Sequence, residues 1–225
     1  MTIAKFIAIS KPEIPSVDST EGFIAYVARV SNPSNQDNST TSGKLLKYLI
    51  KNKHWSPFEM ASMVVEINTT RDIGRQILRH RSFSFQEFSQ RYANPTDMGF
   101  VTREARLQDL KNRQNSIELS EDNQGVGFTW EALQTQLIEI TKEYYQWAIE
   151  NGVAKEQARA ILPEGLTKSR MYMSGTIRSW IHYVDIRTEA GTQKEHREIA
   201  LKIKEILLEQ LPSLKDYYDT QQPSL

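Results

Sequence analysis

The hydrophobic period of this chain changes from two residues to about 3.6 at Thr70. Upstream, Ala61, Met63, Val65 and Ile67 alternate with Ser62, Glu66 and Asn68, the pattern of a strand with one buried face. Downstream, Thr70 and Asp72 supply helix-start signals, and Ile73, Ile77 and Leu78 recur as an apolar helical face. A fold that holds both periods in one short run must join sheet and helix directly.

The rest of the chain adds mostly helix. Thr2 to Ile9 reads as a first strand. Phe23, Tyr26, Val27 and Val30 then mark a short helix, and Leu45, Leu46, Leu49 and Ile50 a second. Residues 76–95, QILRHRSFSFQEFSQRYANP, read as a helix C-terminus running into a loop. Residues 94–128 are punctuated by Pro95, Asn112, Asn115, Asn123, Gly125 and Gly127, and are expected to be a mobile surface segment, a lid or a tether. Trp130, Leu133, Leu137, Ile140, Tyr144 and Trp147 step through the longest helix, which Asn151 and Gly152 stop. A short helix with Ala154, Ala158 and Ile161 ends before Pro163, and Leu166 to Gly175 reads as a strand. Ile177, Trp180, Ile181 and Val184 give a further helix its buried stripe; Ile199, Ile203, Ile206, Leu207 and Leu211 do the same for the last, closed by Pro212. Helices with a few separated strands, no repeat and no dividing linker predict an α+β fold in one domain, 1–225.

Twenty-eight Lys plus Arg balance twenty-eight Asp plus Glu. Any cationic function is therefore local, which argues against a surface built to attract duplex DNA. No run of apolar residues is long enough to span a membrane, and MTIAKFIAIS lacks an export h-region, so a soluble cytoplasmic protein is expected. Cysteine is absent, which removes thiolate metal sites and thiol nucleophiles. His54 and His196, like His80 and His182, are spaced as in no zinc motif, and no metal is expected.

Local positive charge is concentrated at Arg79-His80-Arg81. Consecutive residues turn by about 100° on a helix, so the three side chains fan out, as suits a ligand with several anionic groups. The plainer reading is three cations complementing the negative end of a helix dipole. Ser84, Gln86, Glu87, Ser89 and Arg91 follow with varied hydrogen-bonding groups, interleaved with Phe83, Phe85, Phe88 and Tyr92, which are core or ligand walls. Arg178, His182 and Asp185 share the polar side of the 177–187 helix, and Arg187 projects into another sector.

The string RHRSFSFQEFS resembles the signature of flavin-dependent thymidylate synthases, and QRY continues it. ARVSNP (28–33), HWSPFE (54–59), GRQILRHR (74–81), QARAILP (157–163) and IRSWIHYVDIR (177–187) resemble other blocks of that family, in its order. The resemblance implies methylation of deoxyuridine monophosphate (dUMP) to thymidylate (dTMP), with methylenetetrahydrofolate as carbon donor, FAD as hydride carrier and NADPH as reductant. It implies an antiparallel sheet with surrounding helices, and a homotetramer with active sites at subunit interfaces.

Carried over by position, dUMP would fall to Gln76, Ile77, Leu78, Arg79, Glu87, Phe88, Ser89, Gln90, Arg91, Arg159 and Arg187, with Arg159 at the phosphate. FAD would fall to Ser56, Arg79, His80, Arg81, Glu87, Thr176, Ile177, Arg178 and His182. Arg187 takes the catalytic role, facing the uracil imide and favouring its ionised form, which makes the ring nucleophilic without a thiol adduct. Ser89, with no adjacent base evident, is assigned to binding. The chain departs from the common pattern at Gln86 and Thr176, where many members carry Asn, and at Gly191, where they carry His. The competing function is a single-stranded nucleic-acid binder whose arginines track the backbone while the aromatic residues at 83–92 stack on bases.

Overall fold

In a computed structural model, residues 3–220 of the chain are described; the expected strand residue Thr2 lies outside them. The framework is a four-stranded antiparallel sheet ordered β1-β2-β6-β3. Its strands are β1 (Ala4–Ile9), β2 (Ser62–Thr70), β3 (Phe83–Glu87) and β6 (Lys168–Thr176). β2 and β6 pair over nine residues, from Ser62 opposite Thr176 to Thr70 opposite Lys168. The period switch lies where expected: Met63, Val65 and Ile67 are fully buried, and α3 (Arg71–Ile77) starts at the strand's last residue.

Helices α1 (Thr20–Ala28), α2 (Ser42–Lys51), α6 (Ile177–Arg187), α7 (Lys194–Gln210) and α8 (Lys215–Thr220) surround the sheet. Their inner residues, among them Ile24, Leu46, Trp180 and Ile203, share one core with Met63, Val65, Met171 and Met173 of the sheet. The predicted stripe Ile177, Trp180, Ile181 and Val184 is buried throughout, and Trp180 Nε1 donates to the Met63 carbonyl over 3.0 Å, tying α6 to β2. α1 turns Ile24 and Ala25 inward and ends before Val30, which is exposed.

Two expectations are corrected. The loop expected after Arg81 is strand β3, whose ladder to β6 runs from Phe83–Gly175 to Glu87–Met171. Phe83 and Phe85 alternate with Ser84 and Gln86 at period two, a signal the surrounding polar residues obscured. Residues 94–128 are patterned rather than loose. They hold a bridge from Phe100 to Thr167 and a hairpin of β4 (Arg106–Gln108) with β5 (Ser116–Glu118). Arg103 anchors the segment to Asp72 over 2.7 Å, and Arg106 pairs with Glu195.

α4 (Gln124–Glu150) begins before Trp130 and carries its apolar stripe outward. Trp130, Leu133, Leu137, Ile140, Tyr144 and Trp147 are all exposed, Trp147 at 62%. The inward face is Gln134, Ile138, Thr141, Tyr145 and Ala148. Ala148 and Tyr145 form a second small core with Ala158 of α5 (Lys155–Ala158) and Leu162.

Candidate active site

α3 is seven residues long and points its C-terminus at the end of α6. Its Gly74 lies against Met171: a Cβ there would stand 3.0 Å from the methionine methyl, so a glycine lets the helix sit close on β6. Beyond the Leu78 cap, His80 N–H bonds to Ile77 and Phe83 N–H to His80, making a tight turn into β3. That turn fans the side chains apart. His80 goes inward, with its ring edge-on to Tyr183 at 4.9 Å, while Arg79 and Arg81 point outward. Neither outward guanidinium has a hydrogen-bond or ion-pair partner among the described residues.

Arg187, in the last turn of α6, donates from Nε to His80 Nε2 over 2.9 Å. Burial and the adjacent guanidinium push the His80 pKa down to about 4, so the ring is a neutral acceptor at physiological pH. The Nε bond leaves both Nη groups of Arg187 for a ligand.

A second cluster is built on the Arg71 and Arg75 face of α3. Arg71, Arg75, Gln90, Glu156, Arg159 and Glu164 line a recess of about 560 Å³. Arg71 donates to Glu87 Oε1 over 2.8 Å, and Ser169 donates to the same oxygen over 2.7 Å. Arg75 Nε donates to Glu164 over 2.7 Å, Arg91 pairs with Glu156 at 3.2 Å, and Arg159 Nε reaches only the Glu156 carbonyl at 3.3 Å. Gln90 is buried. Arg71 and Arg75 were not foreseen. Their signal was available, because a cation in the first turn of a helix opposes its dipole and Arg75, four residues on, shares that face.

The Ser89 Oγ accepts from Arg91 N–H at 3.4 Å, with no base beside it among the described residues. Ile77 and Ile177 are fully buried, so their side chains belong to the core; Phe88 is half-buried and Leu78 exposed. On the expected flavin side, Ser56 is exposed, His182 meets the Trp55 ring edge-on at 5.2 Å, and Arg178 pairs with Glu59. Thr176 caps α6, accepting from Ser179 N–H over 3.2 Å. Asp185, expected on the same polar face, is covered by α8 and accepts from Tyr217 over 2.8 Å. Burial raises its pKa, against the Tyr217 bond.

The aromatic residues at 83–92 do not form a stacking ladder. Phe83 is core, 4.7 Å from the Trp180 ring, while Tyr92 is 80% exposed. Phe83 is thus withdrawn from any stack on bases, which counts against the single-stranded nucleic-acid reading.

Residues 14–213 match the family described as thymidylate synthase complementing protein. A probable flavin-dependent thymidylate synthase of Paramecium bursaria Chlorella virus 1 is 50% identical over 218 residues, covering 96% of this chain and 98% of its own. The chain belongs to the flavin-dependent thymidylate synthases. The flavin-dependent thymidylate synthase of Synechocystis sp. (strain ATCC 27184 / PCC 6803 / Kazusa) is 49% identical over 214 residues, covering 93% of this chain and 96% of its own. A UMP/dUMP methylase, PolB from Streptomyces cacaoi bound with 5-Br dUMP, shares the fold. Its TM-score is 0.76 at 23% identity, over 96% of this chain and 94% of that one. As a flavin-dependent thymidylate synthase the chain converts dUMP to dTMP. No helix among the described residues is long and apolar enough to cross a membrane.

Proposed function

We propose that the two clusters beside α3 supply the two ends of dUMP sites shared between protomers, the Arg187 cluster of one chain facing the Arg159 cluster of a second copy, and that FAD lies over the outward arginines beside α6. The observation that carries this is the contrast within Arg79-His80-Arg81. The central imidazole is neutral and committed to Arg187, while the flanking cations have no partner among the described residues. Unspent guanidiniums fit a dinucleotide's phosphates, since each offers a fork of donors that stays charged at any working pH. Ser56, Arg178 and His182 complete the flavin set. Thr176 and Ile177 contribute through the helix start that they form.

Arg159 takes the dUMP phosphate, aided by Arg71 and Arg75, with Gln90 and Arg91 at the recess wall. Gln76, Glu87 and Ser89 hold the sugar and base. Arg187 directs its Nη groups at the uracil imide and favours loss of the N3 proton, because a desolvated cation stabilises the adjacent anion. Carbon 5 thereby gains electron density without a covalent link to the protein. Bound FAD supplies the hydride, methylenetetrahydrofolate the carbon, and NADPH the reducing equivalents. His80 keeps the guanidinium oriented throughout.

We also infer a homotetramer. The outward stripe of α4 runs from Trp130 to Trp147, about 26 Å of helix at 1.5 Å per residue. A periodic apolar face of that length needs cover, and a second copy of the same helix supplies a matching one. Sedimentation of the purified chain tests the assembly, and thymidylate formation with each co-substrate omitted in turn tests the chemistry. A monomer, or full activity without a flavin, would refute the reading.

A further inference from the structure

His196 belongs to none of the residue sets above, yet it is fully buried near the start of α7, beside Gln76. A continuous chain of hydrogen bonds runs through it. Tyr183 Oη lies 2.9 Å from His196 Nε2, and His196 Nδ1 lies 3.3 Å from Gln76 Oε1. Gln76 Nε2 is 2.7 Å from Gln193 Oε1, and Gln193 Nε2 is 2.9 Å from Glu195 Oε2. Glu195 ends the chain in an ion pair with Arg106. Burial works against the Glu195 carboxylate, but the bonds from Arg106 and Gln193 hold its pKa below the usual value.

That ionised end fixes the direction of every bond. A carboxylate only accepts, so Gln193 must turn its amide nitrogen to Glu195 and its oxygen to Gln76. Gln76 must then give its nitrogen to Gln193 and its oxygen to His196, which requires a proton on His196 Nδ1. His196 Nε2 is left as an acceptor, and the buried Tyr183 hydroxyl fills it. No alternative amide flip or tautomer satisfies all four contacts.

We propose that His196 is the positioning residue for Gln76, donating its Nδ1 proton to the Gln76 amide oxygen while Tyr183 holds the ring in that tautomer. The proposal rests on reading Gln76 as a dUMP contact. One N–H of Gln76 Nε2 and one lone pair of Oε1 remain for the nucleotide, at an orientation the buried chain dictates. Without it the carboxamide could rotate by a half-turn and offer the ligand the opposite polarity.

Equilibrium binding of dUMP to the FAD-loaded enzyme tests this with Gln76→Ala, His196→Leu, His196→Asn and the Gln76→Ala/His196→Leu double variant. His196→Leu should weaken dUMP about tenfold, the worth of one well-placed hydrogen bond, with kcat changed less than KM. His196→Asn, whose amide nitrogen can stand near the Nδ1 position, should recover most of the loss. In the Gln76→Ala background His196→Leu should add no further loss. Unchanged dUMP binding in Gln76→Ala would overturn the reading of Gln76 and the proposal with it. Weakened binding in Gln76→Ala but not in His196→Leu, or fully additive losses, would overturn the role of His196 alone. Nitrogen NMR of the unsubstituted enzyme gives a readout that needs no variant. A protonated Nδ1 is expected, and a protonated Nε2 would overturn the assignment.

Discussion

The bond from Arg187 Nε to His80 Nε2, 2.9 Å long, joins the residue proposed to face the reacting ring to the centre of the signature turn. It requires a fork: Nε satisfies the imidazole while the Nη groups remain for the ligand. Arg187→Ala should lower kcat by about 10²–10³-fold, the usual loss for a donor that stabilises developing charge. Arg187→Lys should recover little, because one ammonium on a flexible stem cannot serve both partners. Single-turnover thymidylate formation measures both; a lysine variant within about threefold of the parent would contradict the forked role.

Stability should fall with acid earlier than carboxylates alone would dictate. Burial and Arg187 depress His80 to about 4, and burial, Arg187 and His80 depress His196 to about 3. Unfolded, both rings titrate near 6.5, so between that value and about 4 the unfolded chain binds more protons. Stability is therefore complete above about pH 6.5 and declines as pH falls through this window, the two rings contributing a slope that approaches two protons. Denaturant titrations from pH 7 to 4.5 should show it, and His196→Asn should remove about one proton from the slope. An unchanged slope in that variant would mean His196 is not buried neutral.

Gly175 has no room for a side chain, since a Cβ would collide with the Phe83 ring across the β3–β6 ladder. Phe83 is itself held by Trp180, so the ring cannot step aside. Gly175→Ala should cost about 1–3 kcal/mol of overpacking. Thermal unfolding at fixed protein concentration would register it; an unchanged Tm would show that the ring moves.

Arg159 and Arg187 sit at different clusters of one chain. If each dUMP site takes Arg159 from one protomer and Arg187 from its partner, Arg159→Ala and Arg187→Ala proteins should complement when unfolded and refolded together. With random pairing about half of the dimers are mixed, and each mixed dimer has one intact site, so activity should return to about a quarter of the parent. Verified hetero-oligomers with no recovery would place both arginines in one protomer's site.

Ser89→Ala should keep measurable turnover while binding dUMP more weakly, because no base stands beside the hydroxyl among the described residues. Thiol-blocking reagents should leave activity intact in a chain without cysteine. Complete loss of turnover in Ser89→Ala with dUMP still bound would point instead to a nucleophilic serine.

What was legible in the sequence is what periodicity records. β2, α3, α6 and α7 followed from their spacing because each buries one continuous face against the shared core. β3 was not legible: five residues give only two or three turns of alternation, and its outward Ser84 and Gln86 resemble loop composition. The hairpin at 106–118 was hidden because its residues are almost all polar or exposed, so no hydrophobic pattern marks them. At the site, the signature residues are assigned by resemblance. Arg71 and Arg75 enter through the recess they share with Arg159, and His196 through contacts to residues more than ten positions away, which no local pattern encodes.

The outward stripe of α4 also bears on how the protein is made. In the assembly proposed above, this 27-residue helix would show tryptophans and leucines to water until a second chain arrives, and the final folding step would have a rate that rises with the number of copies present. At low expression the chain would wait in a state with that face open, prone to proteolysis and to sticking to other partly folded chains. Refolding yield should therefore pass through an optimum, limited by encounter in dilute solution and by aggregation in concentrated solution.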